Sequence, residues 1–511
     1  MAAGKSQHRG PDNTQYKISE TALLCFHRLK INDMSNDGNQ PMSLVHDDIT
    51  LICNGEIYNY KELIKENEFQ MNSMSDCEVI LHMYKKYGIH TTIASLDGVF
   101  AFVIVDNITN KVFVGRDPFG VRSLYIGRDE KGISVASELK SLHDISTNVS
   151  CFPPGQYVEL TSNATTRYYN YTWPQHEDAD DVHIMEKINL LLREATKKRT
   201  LSDRPVGCLL SGGLDSSLIT ALVAEHYPKG SLKTFSIGLE GSADLKYAKI
   251  VADFIGTDHH EVIISESDML AALEEDIQQI ESYDTTTVRA STPMYLLSKY
   301  IKEHTDVAVI FSGEGSDEAS GSYMYFHNAP SGREFKAESE RLMEDLHYFD
   351  VLRCDKSTAG AGLEVRVPFL DKSFLEYYMA INPNKKMPKA YNIEKYLLRK
   401  AFEHDNILPN EVLWRIKEGM SDGVSGKKRA WFQVIQAHVD GILSDDEFTH
   451  QQASYEHAPP NIKESLYYRQ IFDTYYPGRA QLMPYYWLPK WSGDVLEPSA
   501  RVLNCYSNTD S

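Results

Sequence analysis

Ser211-Gly212-Gly213-Leu214-Asp215-Ser216-Ser217 is the segment of this sequence best equipped for chemistry. It follows a short apolar run, Val206 to Leu210, and leads into helical character from about Ser216. Glycines let a backbone approach an anion closely, hydroxyls add donors, and a helix N-terminus supplies free amides and a favourable dipole. That combination suits a phosphate. It is not a Walker loop, since GxxxxGK[ST] occurs nowhere in the chain. A Gly-Gly turn with a Ser or Asp cap is the alternative reading of the same residues. A second segment, Ser312-Gly-Glu-Gly-Ser-Asp-Glu318, ends another apolar run at Val307 to Phe311. Asp215 and Asp317 are hard oxygen ligands that suit Mg²⁺. For Asp317 and Glu318 the alternative is a helix first turn, where acids are favoured in any case.

These loops need a frame, and from about residue 184 the sequence supplies one. Val206 to Leu210, Thr234 to Leu239, Glu261 to Ile264 and Val307 to Phe311 read as strands. Between them Leu245, Ala248, Ala252 and Ile255, then Leu270, Leu273, Ile277 and Ile280, recur at helical spacing. Alternation of this kind predicts a doubly wound parallel sheet, whose ligands bind beyond the carboxyl ends of the strands. Both loops then leave neighbouring strand ends on one edge. From about residue 320 the chain is mainly helical.

Residues 1–165 follow a different grammar, of short strands joined by turns. Val99 to Val105 and Lys111 to Gly115 flank a polar turn, and Ile133 to Ser137 and Gln156 to Leu160 are further strands. Asn54-Gly55 after Thr50 to Cys53 reads, as a dipeptide, as a hairpin turn. Residues 166–183 are polar and acidic without a sustained period and are expected to link this half to residues 184–511.

Composition narrows the function. A length of 511 residues calls for two or more domains. A net charge of −20 disfavours nucleic acid or an anionic membrane as partner. No apolar run is long enough to cross a bilayer, and the first residues lack the apolar core of a signal peptide. Seven cysteines without a CxxC pair argue for reduced thiols and a cytoplasmic setting.

Residues 211–217 resemble the pyrophosphate-binding loop of N-type ATP pyrophosphatases, which split ATP into AMP and pyrophosphate and adenylate a substrate oxygen. Four more segments narrow the resemblance: 283–291 (Tyr-Asp-Thr-Thr-Thr-Val-Arg-Ala-Ser), 312–318, 362–371 and 414–423. With them the chain, from about residue 8 to near its end, is similar to the glutamine-dependent asparagine synthetases, and its tail looks closest to the eukaryotic form. By that resemblance Leu210, Ile237, Ser312 and Gly313 frame the nucleotide, and Ser211, Gly212, Gly213, Asp215 and Ser216 hold the pyrophosphate. Lys417 places positive charge where it builds at phosphorus, and Glu314 assists ammonia attack on an acyl-adenylate. Asp244, Arg289 and Arg366 are further candidates, for which a salt bridge is the plainer role. The implied fold is α/β plus α+β. An N-terminal-nucleophile-hydrolase-like αββα sandwich, truncated, precedes a doubly wound ATP pyrophosphatase domain with a helical C-terminal part.

Residues 8–160 resemble a class II glutamine amidotransferase domain, through His8-Arg-Gly-Pro-Asp12, Arg28, Asn54-Gly-Glu-Ile-Tyr58, Ser75-Asp76 and Arg116-Asp117. The resemblance implies that Arg28 grips the glutamine carboxylate, Glu56 and Asp76 its amino group, and Asn54 and Gly55 an oxyanion. That family begins Met-Cys-Gly and uses the N-terminal Cys as nucleophile. Here the chain starts Met1-Ala2-Ala3, so the expectation is a domain lacking its nucleophile and its first strand and helix. Cys25, Cys53 and Cys77 read as small buried apolar residues. Ser123 stands where the family usually has Pro, and Ala319-Ser-Gly-Ser322 lacks a second Gly that is common there. Either the start is misassigned and glutamine is the nitrogen donor, or the chain uses free ammonia.

The leading expectation is asparagine formation from aspartate through a β-aspartyl-adenylate, with ATP and Mg²⁺. A β-lactam synthetase-like cyclase and a non-catalytic regulatory homologue are the alternatives. Small molecules are the expected partners, and subunit number stays open, a homodimer being one arrangement. Asp215→Ala is predicted to abolish aspartate-dependent pyrophosphate release while the circular dichroism spectrum stays native; undiminished release would contradict its role.

Overall fold

The structure is a computed structural model and describes residues 2–44, 49–175, 180–426 and 429–503. Its N-terminal half is built on one six-stranded antiparallel sheet. The strands are β3 (Met42–Leu44), β4 (Ile49–Ile57), β5 (Gly98–Asp106), β6 (Lys111–Arg116), β10 (Gln156–Glu159) and β11 (Ala164–Arg167), hydrogen-bonded in that spatial order. Helices α1 (Tyr60–Asn67) and α2 (Glu78–Ser95) cover one face, where Leu51, Leu63, Ile80, Phe100 and Phe102 form a dry core. The other face buries Ala101 and Val114 with Leu124, Ile126 and Phe152.

The second layer comes in two pieces, the hairpin of β1 (Asn13–Ile18) with β2 (Leu23–Arg28) and a three-stranded sheet of β7 (Tyr125–Asp129), β8 (Gly132–Ala136) and β9 (Asn148–Cys151). Between them lies a cavity of about 1250 Å³, bordered by both β2 and β8. Ile18 and Leu23 are left largely exposed on the hairpin. Asn54-Gly55 is no turn. The chain runs straight through it in β4, with Asn54 opposite Ala101 and Gly55 opposite Phe100. A Cβ at Gly55 would lie 2.2 Å from the Val99 carbonyl oxygen, so the glycine serves close strand packing.

Of the segment 166–183, residues up to 167 extend the sheet as β11, and Tyr169 and Trp173 are buried. Residues 176–179 lie outside the described residues. Helix α3 (Asp181–Lys198) follows, its first turn capped by Asp180, whose side chain accepts from the His183 amide.

The C-terminal half carries a five-stranded parallel sheet, ordered β14 (Asp258–Ile264), β13 (Lys233–Leu239), β12 (Val206–Leu209), β15 (Val309–Phe311) and β16 (Glu364–Arg366). The first four match the expected runs. β16, with one apolar residue in three, gave no periodic signal. From β12 the chain steps outward to β13 and β14, then returns to place β15 on the other side. The order reverses between β12 and β15, the point at which such sheets bind ligands. Helices α4 (Leu214–Ala224), α5 (Ala243–Ile255), α6 (Glu266–Ile280) and α7 (Thr285–His304) alternate with the strands.

The two halves are joined through buried ions. Asp355, fully buried, accepts from Arg9 at 2.8 Å, Arg122 at 3.1 Å and the Ser123 hydroxyl at 2.9 Å. Ser123 therefore bridges the halves where a Pro could not. Glu281 accepts the Leu139 and Lys140 amides and pairs with Lys356. Asp355→Ala would remove the carboxylate that Arg9 and Arg122 share, leaving Arg9 with Glu138 and Arg122 with Glu364. We predict a loss of about 3–5 kcal/mol in denaturant unfolding and faster limited proteolysis; unchanged stability would contradict the joint.

Candidate active site

Where the parallel sheet reverses, two loops meet. Residues 210–213 link β12 to α4, and residues 312–315 link β15 to the short helix Ser316–Ser320. Gly212 has φ +71°, and a Cβ there would lie 2.4 Å from the Ala248 backbone. A Cβ at Gly313 would come within 2.8–2.9 Å of the Asp215 and Ser216 backbone. Glycine at 313 thus lets the second loop lie directly on the first. Ser316 Oγ donates to Asp215 Oδ1 at 2.8 Å, and the Ser211 and Ser216 hydroxyls lie 3.0 Å apart.

Every nucleotide-site residue expected from the sequence lines this pocket except Gly212, which packs against the Tyr247–Ala248 backbone. Leu210, Ser211, Gly213, Asp215, Ser216, Ile237, Ser312, Gly313, Glu314, Asp317 and Lys417 all border it. Its volume is about 170 Å³. That is below the roughly 300–1,000 Å³ common for small-molecule sites. Lys395 and Lys417 are among its lining residues. Lys395 Nζ lies 2.5 Å from Asp215 Oδ2 and 2.6 Å from Asp317 Oδ1, and Lys417 Nζ lies 2.6 Å from Asp317 Oδ2. Burial raises the Asp317 pKa, but the two ammonium groups outweigh it and hold that carboxyl well below the usual range.

Asp215 and Asp317 fit a hard divalent cation. One oxygen of each, Asp215 Oδ2 and Asp317 Oδ1, meets at a common point now held by Lys395 Nζ. Among the described residues no group of three or more His, Cys, Asp or Glu could hold a metal alone. A cation here would draw its remaining ligands from phosphate and water, as Mg²⁺ does.

Glu314 faces the pocket in a bidentate pair with Arg353, at 3.0 and 2.8 Å. Burial raises its pKa and Arg353 opposes this only in part, so Glu314 is a better proton acceptor than an ordinary carboxylate. Arg415 was not singled out from the sequence. It stacks on Tyr247 at 4.2 Å, donates to the Gly212 carbonyl at 3.0 Å, and lies 3.3 Å from Asp244 Oδ1. Lys395 and Arg353 were also missed, since nothing in their spacing marks them. Arg289 and Arg366 lie elsewhere. Arg289 is buried against Glu464 and Glu497 of the C-terminal region. Arg366 on β16 pairs with Glu364 at 2.9 Å and lies 3.3 Å from Glu56 of the N-terminal half.

The residues expected to hold glutamine cluster as well. Arg28, Asn54, Gly55, Glu56 and Asp76 all line the large N-terminal cavity. Arg28 spends its donors on the loop after β2, at the Asn32, Asp33 and Ser35 carbonyls and at Asn39 Oδ1. Asn32, unnoticed in the sequence, donates to Glu56 at 2.5 Å and lies 3.5 Å from Asp76. Burial, with Asp76 and Glu364 nearby, pushes the Glu56 pKa well up, and burial takes Asp76 to about 6. An ammonium group placed there would relieve both. Cys25 and Cys77 border the same cavity with their thiol pKa values raised, Cys25 by burial, Cys77 by its contact with Cys53 and by burial. Neither has the lowered pKa of a nucleophile.

The sequence profile of the asparagine synthase family matches residues 187–341 and 328–498, and that of the glutamine amidotransferase domain matches residues 1–176. The glutamine-hydrolysing asparagine synthetase of Gallus gallus is 43% identical over 542 aligned positions, covering 99% of this chain and 96% of the relative. This chain belongs to the asparagine synthase family. Relatives from Rattus norvegicus and Homo sapiens, also glutamine-hydrolysing asparagine synthetases, are 43% identical, with 100% and 99% of this chain covered and 96% of each relative. No described helix is long and apolar enough to cross a membrane.

Burial pushes the Asp244 pKa up to about 7, with Arg415 opposing. Below that pH Asp244 is neutral and its hold on Arg415, hence on the Gly212 carbonyl, weakens. Aspartate-dependent ATP–pyrophosphate exchange is therefore predicted to rise with pH through about 7. In Asp244→Asn that limb should be absent and the rate about a hundredfold lower; an unchanged pH profile in the variant would contradict the assignment.

Proposed function

We infer that this chain makes asparagine from aspartate and ATP, through a β-aspartyl-adenylate, and releases AMP and pyrophosphate. The observation that carries the reading is the meeting of two anion-binding loops at the sheet's reversal point, with Asp215, Asp317 and Lys417 converging there. Loop amides and the Ser211 and Ser216 hydroxyls would receive the phosphates at the N-terminus of α4. Mg²⁺, when bound by Asp215 and Asp317, would neutralise the leaving pyrophosphate. Lys417 would stabilise charge at the attacked phosphorus. Leu210, Ile237, Ser312 and Gly313 would frame the nucleotide. Glu314, oriented by Arg353, would take a proton from ammonia as it attacks the acyl carbon.

Nitrogen comes from glutamine bound in the N-terminal half, or from free ammonium. Glu56 and Asp76 offer negative charge to glutamine's amino group. Arg28 would have to exchange loop carbonyls for a carboxylate. Reduced cysteines support a cytoplasmic setting. A ring-closing cyclase is less well supported, because full-length identity at 43% runs to asparagine synthetases.

Purified chain incubated with aspartate, ATP, Mg²⁺ and ammonium should yield asparagine, AMP and pyrophosphate in equal amounts. Formation of none of these would overturn the reading, and replacing ammonium by glutamine reports which nitrogen source serves.

A further inference from the structure

Resting on that reading, we propose that Lys395 is a built-in counter-ion that holds the Asp215–Asp317 pair closed and gives it up to the divalent cation that arrives with ATP. All four carboxylate oxygens of the pair have partners already. Lys395 takes Asp215 Oδ2 and Asp317 Oδ1 at 2.5 and 2.6 Å. Ser316 takes Asp215 Oδ1 at 2.8 Å, Ser322 shares Asp317 Oδ1 at 2.5 Å, and Lys417 takes Asp317 Oδ2 at 2.6 Å. A cation bridging the two acids must displace a positive charge, and Lys395 is the one that touches both.

The backbone is shaped for this. Lys395 has φ +58°, in the left-handed region, and its side chain is only 1% exposed. A lysine in that conformation and that deep is held there by its partners. Its neighbour Glu394, also buried, accepts from Arg399 and from the Lys417 amide at 2.8 Å, so the strand of chain carrying Lys395 is tied to the one carrying Lys417. Two acids this close repel without a cation between them. Lys395 removes that repulsion, and its flexible stem lets the ammonium swing from carboxylate to phosphate when a metal takes its place. The same movement would widen a pocket of about 170 Å³ for a nucleotide.

The test uses Mn²⁺ alone on the full chain without nucleotide, titrated by electron paramagnetic resonance. Lys395→Met should bind Mn²⁺ at least about tenfold more tightly than the native chain, and adding Asp215→Ala should remove the gain. The melting temperature of Lys395→Met should rise with Mg²⁺ by more than the native protein's does. Equal or weaker Mn²⁺ binding in Lys395→Met would overturn the proposal. If that variant does not fold, Lys395→Gln, whose amide still donates to one carboxylate without the charge, is read the same way. Asparagine formation by the native chain tests the enzymatic reading separately, and metal binding to the nucleotide-free protein does not depend on its result.

Discussion

The contact between Gly313 and the backbone at Asp215 and Ser216 is what the rest of the synthetase half serves. Parallel pairing of β12 with β15 brings two strand ends together, but only a residue without a Cβ lets the second loop settle onto the first. From that approach follows the Ser316–Asp215 hydrogen bond, the convergence of Asp215 and Asp317, and the reach of Lys395 and Lys417 across both. Parallel backbone pairing sets the strand spacing on which this depends, and Leu218 of α4 packs in one core with Phe235, Val309 and Phe311 of the strands.

The second constraint is the joint between halves. β16 forms the edge of the parallel sheet beside β15, and its Arg366 reaches Glu56, one of the carboxylates expected to hold glutamine. Asp355 and Glu281 hold the N-terminal half through charge-assisted hydrogen bonds that are largely buried. Such pairs contribute little net stability, yet removing one partner is costly, so they fix geometry more than they strengthen it. The two sites are thereby held in a defined relation across a polar, ordered interface.

Much of this was legible in the residues. The strands β12 to β15 are short apolar runs between helical periods, and the two loops carry glycine, hydroxyl and acid at the strand ends. Asn54-Gly55 is ambiguous alone, because glycine suits both a turn and a strand where a carbonyl presses close; only the ordered set of neighbouring segments weighs against the turn. β16 escaped notice because three residues with charged ends have no periodicity. Lys395, Arg353 and Arg415 are long cations whose partners lie far away in sequence, and no local pattern distinguishes them from surface charges. Arg28 was recognised by its motif, but its engagement with the loop at 32–39 depends on tertiary folding.

If the two loops act together on ATP, the β-carboxylate oxygen of aspartate must end up on phosphorus. Aspartate labelled with ¹⁸O in its side-chain carboxylate, followed by ³¹P nuclear magnetic resonance of the products, decides this directly. The account predicts one labelled oxygen in AMP and none in pyrophosphate. Label in inorganic phosphate with ADP as the nucleotide product, or unlabelled AMP, would contradict it.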